Sequence, residues 1–460
     1  MSAKRNTIDM SHGPLTAKLI RYAAPLALTY LLQLAFVAAD MVVIGQWGSP
    51  ESLAAIGATT PLLGLLLNVM TGISTGSNVL AAQYYGAKDS KRMTRMVHTT
   101  VAVSVIGGIA VALLGWSTLH WLVRVTGIPE ASREQSMLYL AICFVGVPFQ
   151  IIYNFACAIL RAVGDTKAPL YFLCIAGTIN IVLNLILVVF VNMDVAGVAL
   201  ATVISQCLSA FLALRRLQNA HGATRLRYKN LRVEKSSFKG ILKIGIPAGL
   251  QSGCFSLSNI VVQSGINTFG VNAVAGMTAG FHLEMLLYAL VFALHHTTIA
   301  AVGQNYGAQQ YRRLIKAIHI CMILSLGINL ICGVGMSALS PWMIRIFSGN
   351  AEVIRFGVMR AHLMFTVYFL IAFMDTSSGA LRGLGNSLLP AVSTLVGTCF
   401  LRILWMKYIF PVYGTMESIL LVYPASWAVV AALNMTVLFI SCKKLLKTAD
   451  ERQLQPHHGI

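Results

Sequence analysis

Ionisable side chains inside long apolar runs are costly, so their positions are the first place to look for chemistry. Asp40 lies in the first such run, seven residues before Trp47, which sets it about 10 Å below the end of the run at 1.5 Å per residue. Asn184, eight residues before Asn192, and Thr202, eight residues after Asp194, both come out about 12 Å deep. Asn180 stands one helical turn from Asn184, on the same face. One carboxylate with amide and hydroxyl oxygens at a common depth could hold a proton or a hard cation. A second set, Glu284, Asp375 and Arg402, lies in apolar runs of the other half. Arg402 has two candidate partners. Pairing with Glu284, near it in depth, makes a structural ion pair. Pairing with Asp375 leaves Glu284 free to attract a cationic substrate.

Other residues give weaker signals. Met41, Met70, Met277 and Met285 lie on runs expected to border a cleft, where flexible thioethers suit a promiscuous apolar pocket. His282, His295 and His296 have no HExxH spacing and no acidic cluster around them, so no metal site is expected and they are read as structural or pore-facing polar groups. The nine cysteines sit in or beside apolar runs without CxxC spacing, as small buried hydrophobes do. No G-x-x-x-x-G-K-[ST] loop occurs, so ATP is not the expected energy source.

These residues need elements that span a membrane. Of 460 residues 57% are apolar and only 11% charged, against about 25% charged in soluble domains. Mean hydropathy is +0.74. A water-soluble enzyme or nucleic-acid binder of this size could not hide that surface, so the net charge of +19 is expected in loops facing anionic lipid. Runs of about 20 apolar residues, enough to cross a bilayer, fall at 22–46, 53–80, 97–123, 136–160, 169–191, 195–214, 244–267, 273–303, 317–340, 361–381, 389–410 and 418–441. With both termini in the cytoplasm, 27 of the 34 Lys and Arg lie on the inner side, as the positive-inside rule requires. The polar N-terminus shows no cleavable signal, so the first run is expected to stay as a span.

The chain also repeats. Gln83-Tyr84-Tyr85-Gly86-Ala87 returns as Gln304-Asn305-Tyr306-Gly307-Ala308, 221 residues on, and both are followed by basic residues. Leu160-Arg161-Ala162-Val163-Gly164-Asp165-Thr166 meets Leu381-Arg382-Gly383-Leu384-Gly385-Asn386-Ser387 at the same offset. Pro25 pairs with Pro247, and both are hinge candidates. The expected architecture is an all-α polytopic membrane protein with twelve transmembrane helices. They form two six-helix lobes related by a pseudo-two-fold axis along the membrane normal. The N-lobe is 1–214, a basic cytoplasmic linker 215–243, the C-lobe 244–441 and a cytoplasmic tail 442–460. Two like-oriented bundles suit alternating access. A channel lacks a filter-like glycine loop, and an enzyme would need an intramembrane nucleophile–base pair or metal cluster that the sequence does not offer.

Ala24-Pro25 and Ile246-Pro247, Asp40 followed by Val43-Ile44-Gly45, the paired QxYGA motifs and Ser378 to Gly385 together resemble the multidrug and toxic compound extrusion (MATE) family, over roughly residues 15–445. That family sits within a wider group that includes lipid-linked oligosaccharide flippases. The resemblance implies an antiporter of a bacterial cytoplasmic (inner) membrane, exporting amphiphilic, often cationic, organic compounds or drugs in exchange for H⁺ or Na⁺. A monomer in contact with membrane lipid, with no other cofactor and no nucleic-acid partner, is expected. The family's N-lobe cation site matches Asp40, Asn180, Asn184 and Thr202. Many members carry a second Asp where this chain has Asn184, and that loss of charge favours H⁺ over Na⁺. A further cation site in one branch uses a Glu in span 7, where Phe255 stands here. The alternative is a flippase for a lipid-linked precursor, which should line its cleft with several basic residues; Arg402 is the single deep one in these runs.

Overall fold

The computed structural model describes residues 7–125, 128 and 130–454; Lys4 and Arg5, counted above on the inner side, lie outside them. The described chain is helical. The first half contains α1 (Leu15–Trp47), α2 (Pro50–Gly86), α3 (Ser90–Val125), α4 (Glu130–Ala162), α5 (Lys167–Asn184) and α6 (Asp194–Gln218). The second contains α7 (Lys235–Asn267), α8 (Val271–Gly307), α9 (Tyr311–Arg345), α10 (Ala351–Val367) and α11 (Phe369–Gly383). It ends with α12 (Leu388–Thr394), α13 (Leu401–Leu404), α14 (Phe410–Tyr413), α15 (Met416–Leu420) and α16 (Val422–Leu454). Ten helical segments are long and apolar enough to cross a bilayer, and α10 with α11 makes an eleventh, bent by 55°. α7, 33 residues long but more polar, covers the expected span 244–267. The two-lobe, twelve-span arrangement fits.

Most helices begin or end beyond the apolar runs, and the difference matters at α10. Span 10 was expected from residue 361, whereas the helix starts at Ala351 and breaks at Tyr368. There the ladder tightens, with Tyr368 N–H donating to Phe365 O at 3.4 Å and Ile371 N–H to Tyr368 O at 3.0 Å. Such i→i+3 bonds turn the chain more sharply than an α-helix does.

The repeat is built into the backbone. Both QxYGA motifs end a long helix (α2 and α8) in a tight turn. Lys88 and Gln309, one residue past the alanines, take φ of 53° and 57°. Asp89 N–H returns to Tyr84 O and Gln310 N–H to Asn305 O, each at 2.9–3.1 Å. Gly164 and Gly385 take φ of 85° and 90°, a left-handed turn that glycine alone adopts without strain.

The chain forms two compact units. Among the described residues, unit 1 holds 7–8 and 28–249, and unit 2 holds 9–27 and 250–454. Each has its own apolar core, one around Phe144, Ile151 and Met96, the other around Phe365, Tyr368 and Trp427. The start of α7 belongs to unit 1 because of four glycines. Gly72 and Gly76 of α2 face Gly245 and Gly249 of α7, and a Cβ on Gly72 would stand 2.5 Å from Gly249 Cα. Small residues four apart let membrane helices meet at backbone distance. The linker also packs in unit 1, where Arg95 pairs with Glu234 at 3.1 Å and Glu234 N–H donates to Thr99 Oγ1 at 3.1 Å.

Candidate functional site

In unit 1 the polar cluster forms where α1 crosses α5. Phe36 lies against Gly177, where an added Cβ would meet its ring at 2.1 Å. One turn beyond Phe36 is Asp40, and Asn180 and Asn184 follow Gly177 at helical spacing on the same face. Asn184 is fully buried and Asn180 nearly so. Asn184 Nδ2 donates to Asp40 Oδ1 at 2.5 Å and to Asn180 Oδ1 at 3.4 Å. Its own Oδ1 is buried without a hydrogen-bond donor among the described residues. Asn184 is the last α-helical residue before a wider π-helical turn, Leu185–Phe190, an irregularity that recurs at functional sites. Tyr139 of α4 lies within Coulombic reach of Asp40. Thr202 is half-buried, and its hydroxyl donates to Val198 O of its own helix at 2.9 Å. Three of the four residues read from sequence are therefore hydrogen-bonded together. Among the described residues Thr202 has no bond to the other three.

Unit 2 corrects both expected pairings of Arg402. Glu284 of α8 is bound by Arg360 of α10, with Nε to Oε1 at 2.6 Å and Nη2 to Oε2 at 3.1 Å. The two side chains are only 5% and 4% exposed. Three glycines allow it. A Cβ on Gly276 would lie 2.5 Å from Val353 O, one on Gly280 3.0 Å from Arg360 Cδ, and one on Gly357 3.0 Å from Gly276 O. Gly276, Gly280 and Glu284 recur every four residues along α8, so one face carries both the close approach and the acid. Sequence reasoning missed Arg360, because it precedes the apolar run and reads as a loop charge. The spacing Gly276–Gly280–Glu284 was the available signal.

Asp375 of α11 is half-buried with Oδ2 shielded and unbonded among the described residues. Its charged neighbour is Arg382, two turns along the same helix face, and not Arg402. Arg382 Nη2 donates to Gln251 Oε1 at 2.6 Å, and its Nη1 lies 3.3 Å from His295 Nε2. His295 Nδ1 meets Asp375 O at 2.8 Å, which makes Nδ1–H the donor and Nε2 the acceptor. His295 is thus a structural link between α8 and α11. Arg402, fully buried, is held by neutral groups: Asn259 Oδ1 at 2.6 Å, Ser258 Oγ at 3.2 Å, and Ser426 Oγ at 3.2 and 3.3 Å.

Of the methionines, Met277 is packed in the core of unit 2, Met41 and Met70 pack partly buried in unit 1, and Met285 is half-buried. Pro25 and Pro247 lie inside α1 and α7, each two residues before the point where the compact units divide.

Comparison with known proteins agrees with the repeat. The family model described as MatE matches residues 25–186 and again 247–406. The probable multidrug resistance protein YoeA of Bacillus subtilis is 27% identical over 421 residues, 89% of this chain and 90% of that protein. The probable multidrug resistance protein NorM of Thermotoga maritima is 26% identical over 82% of each chain. The FAD transporter of Shewanella oneidensis is 24% identical over 75% of this chain and 77% of its own length. A solved outward-facing multidrug resistance MATE family transporter of the MOP superfamily superposes with a TM-score of 0.89 at 20% identity, over 96% of this chain and 99% of that one.

Proposed function

The chain belongs to the MatE family, and from that membership we propose that it is a secondary antiporter, exporting amphiphilic organic compounds in exchange for H⁺ with Asp40 as the proton carrier. As a member it is a multi-pass membrane transporter rather than an enzyme, and multidrug relatives over nearly the whole chain support drug extrusion. The observation that carries proton coupling is the Asp40–Asn184 pair. Deprotonated Asp40 accepts the Asn184 amide N–H. Once protonated, it offers an O–H, and Asn184 Oδ1, buried without a donor, is the acceptor it would find when the amide turns over. A single proton thus reverses the direction of the hydrogen bond joining α1 to α5. α1 carries Pro25, and its first residues, to Ala27, belong to unit 2, which gives this bond leverage on alternating access. One carboxylate among neutral amides is a poor match for Na⁺, which favours a charge-rich oxygen cage.

The expected preference for cationic cargo drew on the family resemblance and on a free Glu284, and the Arg360 pair removes the second support. The relative named as an FAD transporter supports a cargo range wider than cationic drugs. The flippase alternative needs several basic groups free to hold a pyrophosphate, and of the interior arginines of unit 2 Arg360 is bound to Glu284, while Arg382 is held by Gln251 and His295. We place the protein in the cytoplasmic membrane, with both termini inside, as a monomer. The test is efflux of a fluorescent amphiphile from proteoliposomes under an imposed ΔpH or, separately, an imposed ΔNa⁺. Transport should follow ΔpH alone. Transport that follows only ΔNa⁺ overturns the proton assignment.

A further inference from the structure

Arg402 has the most unusual surroundings of any charge in unit 2. It lies on the four-residue α13, between two π-helical turns, Leu395–Phe400 and Trp405–Ile409, and its guanidinium is wholly buried. No carboxylate lies within ion-pair distance of it among the described residues, and both oxygens of Glu284 are taken by Arg360. Its shell is neutral and aimed at it. Ser258 Oγ–H donates to Phe255 O at 2.8 Å, and Ser426 Oγ–H donates to Tyr423 O at 2.7 Å. With those protons committed, each hydroxyl presents lone pairs to the guanidinium. Phe255 and Tyr423 lie under it, with ring centroids 5.2 and 4.6 Å from Cζ. Arg360 Cζ also lies 5.4 Å from the Tyr423 ring centroid. Only one Nη2 bond is made, to Ser426, so one N–H of that nitrogen has no acceptor among the described residues.

A structural strut joining α7, α13 and α16 would need only a neutral amide. An arginine at this depth costs several kcal/mol unless an opposite charge arrives. The interior of unit 2 holds three arginines, Arg360, Arg382 and Arg402, against two carboxylates, Glu284 and Asp375, so it has room for one more negative charge. Access is short: Asn259 and Phe255 are partly buried and reach the surface, so the guanidinium lies one side chain beneath the face of α7.

We propose that Arg402 is a docking point for the anionic group, a carboxylate or a phosphate, of an amphiphilic exported compound, which enters by displacing Asn259 and completes the donor set of Nη1 and Nη2. This deepens the export reading above and rests on it for the direction of transport, while binding itself needs no gradient.

The test is equilibrium binding to purified protein in phosphatidylcholine nanodiscs, read by fluorescence anisotropy. Carboxyfluorescein serves as the anionic probe and ethidium as the cationic one. Arg402→Met should weaken carboxyfluorescein binding about tenfold or more, the worth of a charge-assisted hydrogen bond pair, and leave ethidium within about twofold. Arg402→Lys, which keeps the charge but not the fork, should fall between. Replacing a third of the lipid with phosphatidylglycerol should leave the carboxyfluorescein Kd unchanged; competition by that lipid assigns the site to a headgroup and overturns the solute reading. Equal loss of both probes in both variants with a lower Tm makes Arg402 a strut, and carboxyfluorescein that fails to bind the wild type also overturns the proposal. Failure of ΔpH-driven efflux with these binding results intact would fall on the coupling reading alone.

Discussion

Asp40→Asn keeps the shape of the side chain at the α1–α5 crossing and removes its proton. Export driven by ΔpH should drop to the gradient-free level, while expression and thermal unfolding stay close to wild type; normal ΔpH-driven export in this variant would remove Asp40 from the mechanism. Asn184→Asp supplies the second carboxylate, and Na⁺ should then raise the Tm of the purified variant but not of wild type. Glu284→Gln should behave differently. It strands Arg360, and breaking a buried ion pair costs about 3–5 kcal/mol, so Tm and export of every substrate should fall together. A selective loss of cation export with an unchanged Tm would return Glu284 to a substrate-binding role. Asp40, Asn180 and Asn184 were legible in the sequence because polar groups stand out against an apolar run and depth follows from residue count. Thr202 matched in depth, but a hydroxyl on a helix can satisfy itself on the carbonyl four residues back, and depth does not reveal that choice. Arg360 was illegible for the opposite reason: a charge beside an apolar run looks solvated until a partner helix is known to cover it.

At the scale of elements, glycine spacing decides which helices touch. Gly177→Val puts a branched side chain into the ring of Phe36, an overpacking worth about 1–3 kcal/mol. It should separate α1 from α5, reducing coupled export more than substrate binding; equal losses would show that the crossing serves stability alone. The linker gives a pH prediction. Glu234 is held below the ordinary carboxylate range, first by the Ser237 hydroxyl donating to it at 2.5 Å and then by Arg95, against the opposing effect of burial. A carboxylate lowered on folding adds stability that is complete above its unfolded pKa and is lost as pH falls through the folded one. Acidification from pH 7 to below the ordinary carboxylate range should therefore lower Tm more in wild type than in Glu234→Gln; parallel curves would dismiss the contribution. Helix existence was plain from hydropathy, since each run exceeds the thickness of the bilayer. The 55° break at Tyr368 was not, because neither proline nor glycine marks it, and of the π-helical turns only Leu395–Phe400 holds a glycine, Gly397. They arise where side chains such as Tyr368, whose hydroxyl reaches Glu284 O at 3.4 Å, are held by neighbouring helices.

At the scale of the molecule, the 221-residue repeat was readable because both copies end helices with the same turn chemistry. The assignment of residues 9–27 to unit 2 was not, since a sequence repeat draws lobes in chain order. Its consequence is testable. A chain cut in the linker near Gly222 and coexpressed as two pieces should recover export, whereas the C-terminal piece alone should be degraded, lacking the segment that completes unit 2; a stable, folded C-terminal piece would contradict this. The attachment is specific: Met10 N–H donates to Gln304 Oε1 at 2.8 Å, and Arg313 grips the carbonyls of Met10, His12 and Gly13 at 2.7–3.0 Å. Met10 and Gln304 are 294 residues apart in the chain. At ordinary translation rates the ribosome adds that length in about 15–60 s. Throughout that time the turn at residues 9–13 waits for a partner not yet made, so a segment synthesised early becomes one of the late ones to lock.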